Sequence, residues 1–191
     1  MKKIFAVGLA MALMTGGVVS SVSAAPYVSG DFGLVSVSDS TLSGNTSGEM
    51  SMDPGFGFLA AIGNNFDGLR AEAEFAYRTN DLDEVSNVSV NGDISSMAVM
   101  GNLLVDLPLS ESVRPFLGAG IGLANVEIDS NGSSDDTVFA YQAIAGIGFP
   151  LTHVTTLDFQ YRYFATADPD FDGTEAEYDT HNFFAGLRFD F

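Results

Sequence analysis

The chain has 191 residues, with 25 Asp and Glu against 7 Lys and Arg, no Cys, no Trp, 16 Phe, 6 Tyr and 46% hydrophobic residues. That length suits one domain, and the missing cysteine excludes a disulfide scaffold, a thiolate metal centre, a catalytic thiol and a lipidated N-terminal Cys. A formal charge of -18 leaves no basic patch for phosphate groups, so nucleic acid is excluded as a partner class.

The chain opens on Lys2 and Lys3, followed by an apolar stretch over 4–19 interrupted by Gly8, Gly16 and Gly17, and then by the small residues Val22-Ser23-Ala24. This predicts a cleaved signal peptide over 1–24 and export from the cytoplasm, with a single domain over 25–191. Cleavage after Ala24 keeps Pro26, whose ring fixes φ, away from the position just after the scissile bond. Removing the leader removes both lysines. The mature chain then carries 5 Arg and 25 acidic residues, and 5 minus 25 gives -20.

Beyond the leader the recurring pattern is period 2, the signature of a strand with two unlike faces. Phe56, Phe58, Ala60 and Ile62 alternate with Gly57, Leu59 and Ala61, and Leu69, Ala71, Ala73, Phe75 and Tyr77 alternate with Arg70, Glu72, Glu74, Ala76 and Arg78. The same alternation runs over 28–34, 97–105, 117–123, 139–149, 157–163 and 183–191. Eight strands of about ten residues approach the ~9–11 needed to cross a bilayer core. The gaps between them, 38–54, 64–68, 79–94, 107–113, 127–136, 150–154 and 165–179, alternate strictly long and short. That rhythm is that of an outer-membrane barrel with short periplasmic turns and long outer loops.

The fifth strand decides which face is inside. Gly118, Gly120, Gly122 and Ala124 share one face and Leu117, Ala119, Ile121 and Leu123 the other. A face of glycines cannot build an apolar core, but it leaves room in a narrow lumen for Arg and Glu side chains from the opposite wall. The expected fold is all-β, an eight-stranded antiparallel up-and-down transmembrane β-barrel, closed because backbone groups in lipid must all pair. The inward charges are then Asp31, Arg70, Glu72, Glu74, Arg78, Asp106, Asp158, Arg162, Arg188 and Asp190, with each Arg expected to have carboxylate neighbours. Eight strands enclose only enough space for side chains to fill, so a salt-bridged plug is expected, and a narrow channel for small solutes is the alternative.

The last strand places Phe183, Ala185, Leu187, Phe189 and Phe191 on one face. This terminal strand resembles the assembly signal of bacterial outer-membrane barrels, with Phe189 and Phe191 in that role. The run 114–122, Arg-Pro-Phe-Leu-Gly-Ala-Gly-Ile-Gly, resembles the fifth-strand motif of the opacity-protein or surface-antigen family, called porin-like by convention. Residues 145–148 and 157–163 resemble that family's sixth and seventh strands. The resemblance implies residence in the outer membrane of a Gram-negative bacterium, contact with its lipid and lipopolysaccharide, assembly by the barrel assembly machinery, and a cell-surface role.

The four long gaps hold 3, 4, 4 and 6 acidic residues and no Lys or Arg. Function is therefore expected at a strongly acidic outer surface, in a structural or adhesin-like interaction role. No enzyme is expected, because His153 and His181 have no sequence-evident catalytic partners, and no resident cofactor is expected. In the last long gap Asp168, Asp170 and Asp172 alternate ahead of Gly173, and Asp179 stands at the twelfth position, a partial match to a Ca²⁺ loop.

Overall fold

In the computed structural model the chain is described over residues 24–37, 40–44, 48–52, 54–85, 88–89, 93–107, 109–110, 112–129, 133–167, 170–171, 174–176 and 178–191. The predicted leader and the loop positions between these ranges lie outside them. Among the described residues thirteen strands follow one another: β1 (Ala25–Val37), β2 (Ser40–Gly44), β3 (Gly48–Met52), β4 (Gly55–Phe66), β5 (Leu69–Val85), β6 (Val88–Ser89), β7 (Asp93–Asp106), β8 (Arg114–Asp129), β9 (Ser133–Pro150), β10 (Thr155–Thr166), β11 (Asp170–Phe171), β12 (Thr174–Ala176) and β13 (Asp179–Asp190).

Eight of these build the barrel. Each is antiparallel to its neighbours around the ring β1–β4–β5–β7–β8–β9–β10–β13. The ring closes through β1 and β13, where Tyr27 faces Asp190 and Val37 faces Thr180. Closure leaves no barrel edge unpaired, which is what a hydrocarbon surround demands. The strands β5, β8 and β9, with 17, 16 and 18 residues, run well past the ~9–11 that span the bilayer core. The five short strands lie in the long gaps. There β11, β12, β2 and β3 continue the pairing onto the outer end of β5, and β6 pairs β5 as well. Sequence reading assigned these Ser-, Thr- and Gly-rich segments to loops because none alternates by itself; pairing to a neighbour supplies what their composition lacks.

Opposite that end sit the three short connections, the start of β1 and the end of β13, with Phe191 N–H donating to Pro26 O at 2.9 Å. The first connection is tighter than its predicted five residues. Strands β4 and β5 continue to a two-residue turn, Asp67-Gly68, with φ of 57° and 96°. Two consecutive left-handed residues mark the type I′ geometry whose twist matches the flanking strands.

The outward face is a continuous apolar belt. Phe32, Ile121 and Phe183 are about three-fifths exposed, with Phe58, Phe75, Leu103 and Phe159 beside them. The inward face has two zones. Toward the long-loop end an apolar cluster fills the lumen, including Val35, Leu59, Ile94, Met100, Val126, Phe164, Tyr178 and Phe184. Toward the turns, the filling is largely polar, joined by Leu104, Phe116 and Ile144. The expectation of a wholly polar interior therefore holds only for the turn-side half. Near the outer ends of β7 and β8 the pattern reverses, with Ile94 and Val126 inward between the polar Asp93 and Ser95 and the polar Asn125 and Glu127.

Candidate functional site

The polar lumen is built by side chains on the inward phase of six strands, β1, β5, β7, β9, β10 and β13. Its centre is the ion pair of Arg162 Nη1 on β10 with Glu74 Oε2 on β5. Three strands separate β10 from β5 in either direction around the ring, so this pair spans the full lumen. The Glu74 carboxylate also accepts from Asn102 Nδ2 at 2.7 Å and Gln142 Nε2 at 3.2 Å, and Gln142 donates to Asn102 Oδ1 at 2.8 Å. On the other side Arg162 Nε donates to Gln160 Oε1 at 3.2 Å and Gln160 Nε2 to Asp31 Oδ1 at 2.7 Å.

Closer to the turns, Arg70 lies 3.0 Å from Asp106 and 3.5 Å from Glu72, stacked over Phe116 at 4.6 Å. Glu72 accepts from the Tyr27 hydroxyl at 2.7 Å and from Asn102 at 3.3 Å. Arg188 pairs with Asp158 at 3.4 Å. Buried ions need this density of partners, because an unpaired charge in a low-dielectric interior costs several kcal/mol.

Eight of the ten charges placed inward by alternation thus sit in one connected set or beside it: Asp31, Arg70, Glu72, Glu74, Asp106, Asp158, Arg162 and Arg188. Asp190 stands apart, half-buried at the turn-side rim, its backbone N–H donating to Val154 O at 2.9 Å. Arg78 is the departure. It is fully buried, yet its Nε meets Asn182 Oδ1 at 3.3 Å and its guanidinium lies 4.0 Å over the Phe164 ring, with no carboxylate in the ion pairs among the described residues. It lies in the apolar zone, and Glu74, two inward positions below it beyond Ala76, is committed to Arg162.

The glycine face also works differently from expectation. A Cβ on Gly120 would stand 2.0 Å from Asn102 Oδ1, and one on Gly118 2.7 Å from Leu104 Cγ. The space is occupied by side chains of the adjoining strand β7 and not by Arg or Glu from across the lumen. Sequence reading missed Tyr27, Asn102, Gln142, Gln160 and Asn182, although all share the inward phase; it followed charge alone, and a search for any polar residue on that phase finds them.

Of the remaining positions, Phe189 and Phe191 lie on the lipid side at the turn end. Asp168 and Asp172 lie outside the described residues, as does the side chain of Asp170, whose backbone faces Glu175 between β11 and β12. Asp179 opens β13 opposite Ala165. His153 is exposed in a short turn, and His181 points to the lipid side, its Nδ1 2.6 Å from the Tyr161 hydroxyl. Neither imidazole joins the lumen network.

Comparison with known proteins agrees with this geometry. Residues 5–191 match the family described as outer membrane protein beta-barrel domain, and the chain belongs to that family. It is an outer-membrane β-barrel, which sets its residence in the Gram-negative outer membrane. The structure is similar to that of Neisserial surface protein A, with a TM-score of 0.63 and 21% identity over 88% of this chain and 99% of that one. It also resembles the N-terminal β-barrel domain of Pseudomonas aeruginosa OprF, with a TM-score of 0.51 and 14% identity over 87% of this chain and 97% of that one. At these identities the likeness establishes the fold. In sequence, an uncharacterized protein of Brucella abortus strain 2308 is 31% identical over 121 residues, covering 56% of this chain and 42% of the relative. One of Brucella suis biovar 1 is 32% identical over 99 residues, covering 44% and 35%. The matched stretches thus span less than half the length of these curated relatives.

Proposed function

We propose that this barrel is a closed, non-catalytic scaffold that displays four acidic loops at the cell surface for interaction with other surfaces or with lipopolysaccharide. In this reading the leader is removed after Ala24 and the barrel assembly machinery inserts the chain by its terminal strand, Phe189 and Phe191 included. The observation that carries the closed lumen is the Arg162–Glu74 pair spanning opposite walls, roofed by the apolar cluster around Phe164 and Phe184. A solute would have to break the pair and part the roof together. The display role is supported by the 17 of 25 acidic residues held in the four long gaps, and the solved relative named as a surface protein shares the barrel. A Ca²⁺ ion ordering the last long loop through Asp168, Asp170, Asp172 and Asp179 is part of the same reading.

Planar-bilayer recording tests closure. No stable single-channel steps are expected, and steps of uniform size would establish the small-solute channel instead. Display is tested on intact cells, using the chain's lack of cysteine. A membrane-impermeant maleimide should label Ser47→Cys in the first long gap and leave Ser110→Cys in a short turn unlabelled; the reverse pattern would invert the orientation.

A further inference from the structure

Four of the buried polar atoms without a hydrogen-bond partner come from three residues of the lumen's outer zone: Arg78 Nη1 and Nη2, Ser96 Oγ and Tyr178 OH. These residues converge. Arg78 on β5 and Ser96 on β7 are directly opposed in register, so two inward side chains there start only about 5 Å apart. Tyr178 enters just before β13, packs edge-on to Phe164 with ring centroids 6.3 Å apart, and faces both Ser96 and the guanidinium. Arg78 and Tyr178 therefore enter the lumen from separate walls, with β4 and β1 between their strands, and bring their polar ends together beneath the loops. All three side chains are buried to 2% exposure or less.

The guanidinium has N–H bonds to spare at both Nη atoms, and of the two hydroxyls, which face each other, one keeps a proton to donate. The local acceptor, Asn182 Oδ1, already receives Arg78 Nε. Among the described residues the carboxylate that faces Arg78, Glu74, is engaged lower down by Arg162. Water would have to donate two protons of its own where acceptors are scarce, and it leaves the positive charge uncompensated. A single negative ion that only accepts hydrogen bonds satisfies both needs. The walls around it, Phe164, Phe184, Val35 and Ile94, suit a weakly hydrated monovalent ion and penalise a polyatomic dianion.

We propose that Arg78, Ser96 and Tyr178 form a binding site for one small monovalent anion of the chloride class, sealed into the outer mouth of the lumen. The inference rests on the closed-lumen reading, since an open channel would exchange the ion freely, but its test reads the ion itself and not conductance. Because the site is sealed, the ion loads when the barrel closes.

The probe is bromide. The full mature chain is refolded in sodium bromide or in sodium gluconate at equal ionic strength. Crystals of the bromide-refolded protein should show one anomalous peak beside the Arg78 Nη atoms. Bromide should also favour the folded state over gluconate by about tenfold or more in the unfolding equilibrium, as expected for a ligand well above its Kd. In a Ser96→Ala/Tyr178→Phe variant that keeps the folded gel mobility, both signals should be lost or sharply weakened. Arg78→Met, which suits the apolar surroundings, should fold without any preference between the two salts. No bromide peak at Arg78, equal stability of the unaltered protein in the two salts, or a bromide effect that survives Arg78→Met would each overturn the proposal.

Discussion

Glu74 is the residue on which the closed lumen depends most. Its side chain is fully buried, and it serves three donors: Arg162, Asn102 and Gln142. Replacement by Glu74→Met leaves the Arg162 guanidinium buried and uncompensated, a loss of about 3–5 kcal/mol. Arg162→Met strands the carboxylate instead and should cost a similar amount. The double variant Glu74→Met/Arg162→Met removes both charges. It leaves the amides of Asn102 and Gln142 short of an acceptor, at about 1–3 kcal/mol, and gains some apolar packing. The double-mutant cycle should therefore show a coupling energy of at least about 3 kcal/mol, with the double variant more stable than either single one. Urea unfolding in lipid vesicles, followed by circular dichroism and by gel mobility without boiling, measures each corner. Additivity within about 0.5 kcal/mol would mean that the two groups do not meet across the lumen, and the plug would then have to rest on the apolar roof alone.

Other outcomes follow from the same geometry. Gly120→Ala should lower the unfolding midpoint, because its Cβ would stand 2.0 Å from Asn102 Oδ1 and push that amide off Glu74; outward Gly101→Ala, with its nearest neighbour at 3.9 Å, should be near neutral. At the I′ turn, Gly68→Ala at φ 96° should cost about 1–2 kcal/mol and slow refolding, whereas Asp67→Asn should be tolerated, as stopped-flow recovery of strand signal would show. Deleting Phe191, which anchors the closing strand to Pro26, should reduce the outer-membrane yield without blocking secretion, read by fractionation and immunoblot. Calorimetry with Ca²⁺ should give heat for the unaltered chain that is lost in an Asp170→Asn/Asp172→Asn variant; equal heats would reduce the last loop to a solvated acidic cap.

The barrel was legible in the sequence because lipid enforces a strict rule along each strand. Over the spanning parts of β5, β8 and β10 every second residue faces hydrocarbon, so period 2 survives there. Legibility failed where the pattern reverses toward the long loops. Ile94 and Val126 point inward between polar neighbours, Asp93 and Ser95 for the first and Asn125 and Glu127 for the second, so a rule that puts the polar face inside misses the roof of the lumen. The pairings were beyond sequence reading for another reason. Alternation fixes which wall a side chain leaves from, but the stagger of strands around the barrel decides which rows meet. Arg162 therefore meets Glu74 across the lumen while Arg78, on the same strand as Glu74, finds an aromatic ring. The short strands β11 and β12 were invisible because their order comes from a neighbour.

The polar interior has a role that stability alone does not explain, since a buried ion pair is often no better than an apolar pair of the same volume. What charges supply is phase. Shifting a strand by one residue exchanges its faces. For β5 that would carry Arg70 and Arg78 into lipid, at about 2–4 kcal/mol each near the bilayer midplane, together with Glu72 and Glu74. Strands β10 and β13 are fixed in the same way by Arg162 and Arg188. Strand β8 has no charge on its spanning inward face, and sterics hold it instead: a one-residue slip would send Leu117 and Ile121 into space where even a Cβ at Gly120 collides with Asn102. Charge and glycine thus specify the same inside from opposite directions, one by what lipid rejects and the other by what the lumen cannot hold. An interior so committed to register and closure has little freedom to change.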